Sequence, residues 1–166
     1  MRAPLHAIIE PNPIPMLAQA AFAYLHFLSL FALVTCVVTE VTWYRPTLTR
    51  EEARRLVFLD LTYGIVSVLV VGTGFCRALW FAKGWDFYLH NPIFWIKVGA
   101  FGVWALLSLP PTLHFLSWRK VVAAGQTPAI VPATYRRIRL FLHLELVLIL
   151  VVPLLAVLMA RGVGSQ

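Results

Sequence analysis

Charge is scarce in this 166-residue chain. Asp, Glu, Lys and Arg together make up 13% of it, about half the soluble average. Set beside 60% hydrophobic residues and a mean hydropathy of +0.80, that shortage excludes an ordinary soluble domain. Cysteine is limited to Cys36 and Cys76, which supply neither a disulfide framework nor a CxxC metal signature. Both read as buried spectators in different apolar stretches. Nucleotide-binding and hydrolase motifs are missing: no Walker loop, no GxGxxG after a strand, no nucleophile elbow, no HExxH. There is no internal repeat and no low-complexity tract. The N-terminus also lacks the pattern of a cleaved signal peptide. Arg2 is its only early positive charge, and Pro11, Pro13 and Pro15 interrupt the approach to the first apolar run.

What the chain has instead is four long apolar stretches, Met16–Thr39, Leu56–Trp80, Ile93–Leu109 and Tyr135–Ala160. Each reaches or approaches the roughly 20 residues that cross ~30 Å of hydrocarbon at 1.5 Å per residue. The expected fold is all-α, a polytopic four-helix transmembrane bundle. Its helices fall at about 16–40, 50–81, 92–118 and 135–160, and one domain accounts for residues 1–166.

The net charge of +7 does not point to nucleic acid, because the basic residues lie where a membrane protein keeps them. Arg45, Arg50, Arg54 and Arg55 fall between the first two spans, and Arg119, Lys120, Arg136, Arg137 and Arg139 between the last two. These are nine of the fourteen Lys and Arg. Arg2, Arg77, Lys83 and Arg161 belong to the opposite side. Positive-inside bias then places both termini outside and those two loops in the cytoplasm, which implies a multi-pass membrane protein. Trp43, Tyr44, Trp118 and Tyr135 fit an inner aromatic belt, and Trp80, Trp85, Tyr88 and Trp95 an outer one. Trp104 falls mid-span, outside both belts.

Local signals set the helix ends. Thr49-Arg50-Glu51-Glu52 fits a capping box. Asn91-Pro92 is an N-cap followed by proline at the first helical position, where a missing N–H costs nothing. Pro110-Pro111 is expected to end or kink the third span, with residues 121–134 as a connection. Pro153 should kink the fourth by freeing the carbonyl of Ile149.

Three spans carry an ionisable residue at depth: His26, Lys97 and Glu145. Hydrocarbon does not solvate charge, so such groups face the bundle, find partners and mark sites. Helical spacing puts Gln19, His26, Ser29, Leu33, Cys36 and Glu40 on one stripe, with His26 about 15 Å along its helix. A neutral imidazole there either hydrogen-bonds across helices or ligates a metal. Lys97 lies roughly 8 Å along the third helix and shares a face with Phe101, Trp104 and Ser108. It either snorkels outward or turns inward to a ligand or carboxylate. Glu145 lies about 12 Å beyond Arg137, too deep for a short side chain to escape, on a face with Val152, Ala156 and Met159. It is expected to point in, and His143, about 160° away, toward lipid or the interface. Asp60, on a face with Gly64, Ser67, Val71 and Gly74, is expected to pair with Arg54 or Arg55. Glu40 reads as interfacial, and Arg77 as meeting headgroups or an anionic ligand. His6, His90 and His114 carry no assigned role.

Three segments carry a resemblance: Tyr24-Leu25-His26, Asn91-Pro92-Ile93-Phe94-Trp95-Ile96-Lys97, and Glu145 with the ending Met159-Ala160-Arg161-Gly162. Over nearly its whole length the chain resembles a bacterial four-helix membrane family known only as a domain of unknown function. More distantly it is similar to the HemJ-type protoporphyrinogen oxidases, four-helix proteins that bind b-type haem, and to CopD-like membrane proteins. The oxidases also have a histidine in the first helix, a W-x-x-K segment in the third, and a glutamate before a proline in the fourth. The resemblance implies His26 as axial haem ligand and metal-binding residue, Lys97 as the functional lysine and Glu145 as its acidic partner. Glu145 and Pro153 stand eight residues apart, wider than in the oxidases, and no second inward histidine is evident.

Three functions remain open on the sequence. The first is a haem b protein, with His26 on the iron, Lys97 and Arg77 offering charge to the propionates, and Glu145 holding or relaying a proton. The second is a small transporter in which Lys97, Glu145 and His26 form an ion or proton path. The third is a non-catalytic accessory or assembly subunit whose buried polar groups lock the packing. In each case the lipid bilayer is the surrounding partner, with a homo-oligomer or a larger membrane complex as the assembly. Whether the protein is an enzyme stays undecided.

Overall fold

Apolar residues on every face suit helices that meet lipid on one side and each other on the other. A computed structural model describes residues 15–81, 89–161 and 163. It contains α1 (Met16–Trp43), α2 (Arg50–Cys76), α3 (Pro92–Ala123) and α4 (Pro132–Ala160), and α2 runs on into a π-helical turn, Arg77–Phe81. Among the described residues there is no strand. All four helices are long and apolar enough to cross a membrane, so the expected all-α bundle stands. Trp85, Tyr88, Arg2, Lys83, His6 and Gly162 lie outside the described residues.

Both caps form as read. The Thr49 hydroxyl accepts from the Glu52 backbone N–H while the Glu52 carboxylate accepts from the Thr49 N–H at 2.7 Å, closing a capping box. Asn91 Oδ1 accepts from the Ile93 N–H at 2.9 Å. Pro110 and Pro111 do not end the third helix, which continues to Ala123. Two missing N–H donors are tolerated in membrane helices when packing holds both flanks. Here Trp104 before the prolines and Phe115 and Trp118 after them are buried. α4 likewise runs through Pro153.

The helices form an up–down ring. α1 packs along α2 and α3 along α4, and sparser α2–α3 and α1–α4 contacts close it. One end carries the start of α1 and the close of α4. The other carries the loops 44–49 and 124–131 with the basic residues, where Arg50 Nε donates to the Val122 carbonyl at 3.1 Å. Phe31, Val68, Leu106 and Leu150 point outward, 67–74% exposed, as lipid contact requires.

Two large apolar clusters fill most of the interior, beside a small third one of Phe94 and Met159. Of the large pair, the one toward the termini holds Leu33, Val37, Val66, Val70, Trp104 and Ile149. The one toward the basic end holds Tyr44, Leu56, Phe115, Trp118, Ile138 and Leu142. The second corrects the inner-belt expectation. Tyr44 and Trp118 are buried rather than interfacial. Tyr44 meets Phe115 edge-on at 5.5 Å and lies 5.2 Å from Tyr135, and its hydroxyl is 3.1 Å from His114 Nε2. Burial, with Tyr135 alongside, pushes the Tyr44 phenol above its ordinary range. Offset and edge-on aromatic contacts give these rings more inside the bundle than at its rim. Trp43, Trp80 and Trp95 stay exposed.

Candidate functional site

Where the two apolar clusters meet, the bundle is polar. Val41 and Leu59 pack against both clusters, and their chain neighbours Glu40 and Asp60 are buried at 2% and 3% exposure. Glu145 joins them at 1%, between Leu142 of one cluster and Ile149 of the other. Three helices therefore bring a carboxyl group to one layer, and the fourth adds Thr112.

Glu145 points in, as expected. Its Oε2 accepts from the Tyr63 hydroxyl at 2.9 Å and from the Trp104 indole N–H at 3.3 Å. These donors come from α2 and α3, so the α4 carboxyl reaches across the centre of the ring. Its Oε1 is buried with no hydrogen-bond partner. His143 is exposed and its Nδ1 lies 2.7 Å from the Arg139 carbonyl, also as expected.

Two carboxyl expectations are overturned. Asp60 does not pair with Arg54 or Arg55, which both lie within ion-pair distance of Glu51, at 2.9 and 3.6 Å. Instead Asp60 Oδ1 accepts from the Thr112 hydroxyl at 2.8 Å. The reason is angular. The buried face of α2 runs through Ala53, Leu56, Asp60, Tyr63, Val70 and Thr73, and Arg54 and Arg55 project from other faces. Glu40 is not interfacial but interior, and its Oε1 also lacks a partner. It continues the stripe of α1 whose Ser29, Leu33, Cys36 and Val37 are all buried. The helix extends past it to Trp43, so a position counted as an end is still core.

Nearer the termini the polar groups are basic. His26 is half-buried on α1, with Nδ1 2.9 Å from Thr73 Oγ1. The Thr73 hydroxyl gives its own proton to the Leu69 carbonyl at 2.6 Å. With that proton assigned to the Leu69 carbonyl, Thr73 accepts, the imidazole proton falls on Nδ1, and Nε2 carries the lone pair. The ring lies against α2 where Gly74 leaves room: a Cβ there would stand 3.3 Å from His26 Cε1. The charges of Arg77 and Lys97 both act on this imidazole. Arg77 stacks over Phe27 at 5.3 Å and Lys97 over Phe94 at 5.6 Å, favourable places for cations near lipid.

The sequence-nominated residues thus divide. His26, Arg77 and Lys97 gather toward the termini, while Glu145 lies in the central layer. Among the described residues, the ion pairs are those of Glu51. Beside the layer, α2 and α3 part to leave a cavity of about 360 Å³ lined by Tyr63, Ser67, Gly72, Phe101, Trp104 and Ser108, among others. Its walls include the two side chains that hold Glu145. Sequence reasoning missed Tyr63, Thr73 and Thr112. A tyrosine at mid-span, three residues from Asp60, was the available signal for Tyr63. The two threonines carry no pattern that separates them from ordinary helix residues.

No curated protein and no solved structure matches the chain. Residues 18–164 match the family described as predicted membrane protein (DUF2214), and with a cluster-filled bundle of four spanning helices the chain belongs to that family of membrane proteins of unknown function.

Proposed function

We propose that this protein binds haem b within the bilayer as a HemJ-type redox protein, with His26 as axial ligand. The observation that carries the reading is the Thr73 contact at 2.9 Å. With the imidazole proton assigned to Nδ1, Nε2 would be the atom to ligate, the outer-shell arrangement of metal-bound histidines. Arg77 and Lys97, whose charges reach the same ring, suit the anionic propionates. The donor set fits one protein ligand to the iron. His114 is committed to the Tyr44 contact and His143 to the outer face of α4. Haem bound there would supply one-electron chemistry. Glu145 would hold a proton at Oε1, with Tyr63 and Trp104 fixing its other oxygen. In this reading the loops 44–49 and 124–131 face the cytoplasm of a bacterial inner membrane.

The test is an absorption spectrum, oxidised and dithionite-reduced, of detergent-purified wild type beside His26→Ala, both expressed with ample haem. A Soret band with reducible α and β bands, lost in the variant, is expected. A variant that keeps its full haem complement refutes the ligand assignment. A second reading, proton-linked transport, draws on the carboxyl layer. The apolar cluster between that layer and His26 counts against a path joining them, and proteoliposome flux with Glu145→Gln tests it.

A further inference from the structure

The carboxyl layer contains more negative capacity than its partners answer. The groups facing it are Cys36 and Glu40 from α1, Asp60 and Tyr63 from α2, Trp104 and Thr112 from α3, and Glu145 from α4. None of these is cationic. The charges acting on Glu40 are those of Asp60 and Glu145, both acidic. Asp60 has the Thr112 hydroxyl, and Oε2 of Glu145 has two donors. Oε1 of Glu40 and Oε1 of Glu145 have none, although both side chains are almost wholly buried.

We propose that Glu40 and Glu145 form a two-carboxyl proton-binding site inside the membrane, closed on either side by the two apolar clusters. Donor–acceptor counting supports a proton as the ligand. Ionised carboxylates only accept, so two bare oxygens remain bare. A proton taken up by either group turns that bare acceptor into a donor. It also removes a charge from surroundings where an unpaired carboxylate is costly. A metal ion fits less well, because among the described residues no three His, Cys, Asp or Glu side chains are grouped to hold one. The site does not depend on haem: it lies in the layer between the clusters, and its occupancy is readable in haem-free protein.

Infrared difference spectroscopy of the full chain in lipid tests the proposal. Wild type at neutral pH is compared with Glu40→Gln and with Glu145→Gln, each in H2O and D2O. A protonated-carboxyl carbonyl band that shifts in D2O is expected, with loss or displacement of that band in both variants. Absence of any such band in wild type between pH 5 and 8 overturns the proposal and leaves ionised, hydrated carboxylates. Loss of the band on adding sodium chloride, with potassium as control, also overturns it by making the ligand a metal cation. Because the wild-type band alone decides the first point, a variant that fails to fold does not rescue the idea. Haem loss in His26→Ala leaves the band unchanged, so this site and the haem reading fail separately.

Discussion

Replacing Tyr63 by phenylalanine removes one oxygen and leaves the ring in the cluster it shares with Leu33, Val66 and Trp104. The hydroxyl donates to Glu145 Oε2 at 2.9 Å, and the remaining donor, the Trp104 indole, stands at 3.3 Å, beyond the usual N–H···O distance. Oε1 is already unpartnered, so the carboxyl cannot turn to recover the loss. Hydrogen bonds to charged groups are worth about 1.5–3 kcal/mol in soluble proteins. Intramembrane bonds measured by double-mutant cycles average ~0.6 and reach ~1.7 kcal/mol. A donor to an otherwise under-satisfied carboxyl belongs at the upper end, so Tyr63→Phe should cost about 1.5 kcal/mol. At about 2–4 °C per kcal/mol for a chain of this size, the melting temperature should fall by roughly 3–6 °C. Cys36 supplies the probe: it is a buried free thiol, so a thiol-reactive dye reports melting in a Cys76→Ser background. A cycle with Glu145→Gln should return a coupling of about 0.6–1.7 kcal/mol. A Tyr63→Phe protein that melts within a degree of its parent, or a coupling of zero, would show that the bond does not hold the layer together.

Other expectations follow from local geometry. Gly74→Val should overpack His26 and cost about 1–3 kcal/mol, whereas Gly72→Val, with nothing within 4 Å of its Cβ, should melt near wild type. Equal effects at the two positions would remove the close approach of the imidazole to α2 as the cause. Thr112→Val keeps shape but deprives buried Asp60 of its donor, and a loss of about 1–3 kcal/mol in the same melt is expected. Thr49→Ala opens the capping box of α2 and should cost ~1 kcal/mol. Restoration by Thr49→Ser, but not by Thr49→Val, separates the cap from side-chain bulk. Cysteines placed in the loops 44–49 and 124–131 should react with an impermeant thiol reagent from one and the same side of sealed vesicles. Opposite sidedness would refute the up–down order of the helices.

Sequence alone determined the bundle, because length and apolar content measured against the bilayer leave few alternatives. It also located both helix starts with side-chain caps, since the Thr49–Glu52 and Asn91–Pro92 signals act within four residues. The inward faces of His26 and Glu145 were readable for the same reason: a helix repeats every 3.6 residues, and polar groups in hydrocarbon must turn inward. Tertiary structure decided the partners. Tyr63, Trp104 and Glu145 come from three helices and meet 41 and 82 positions apart, distances over which no periodicity operates. Thr73, which orients His26, and Thr112, which takes Asp60 from the arginines, are ordinary until a neighbouring helix supplies the other half of the bond. Glu40 shows the limit most clearly. Its place on the stripe was legible, but three further residues of α1 and the closing of two apolar clusters around it decided that it is core rather than interface. Helix register is a property of neighbouring residues, whereas burial depends on what the rest of the chain places on the far side.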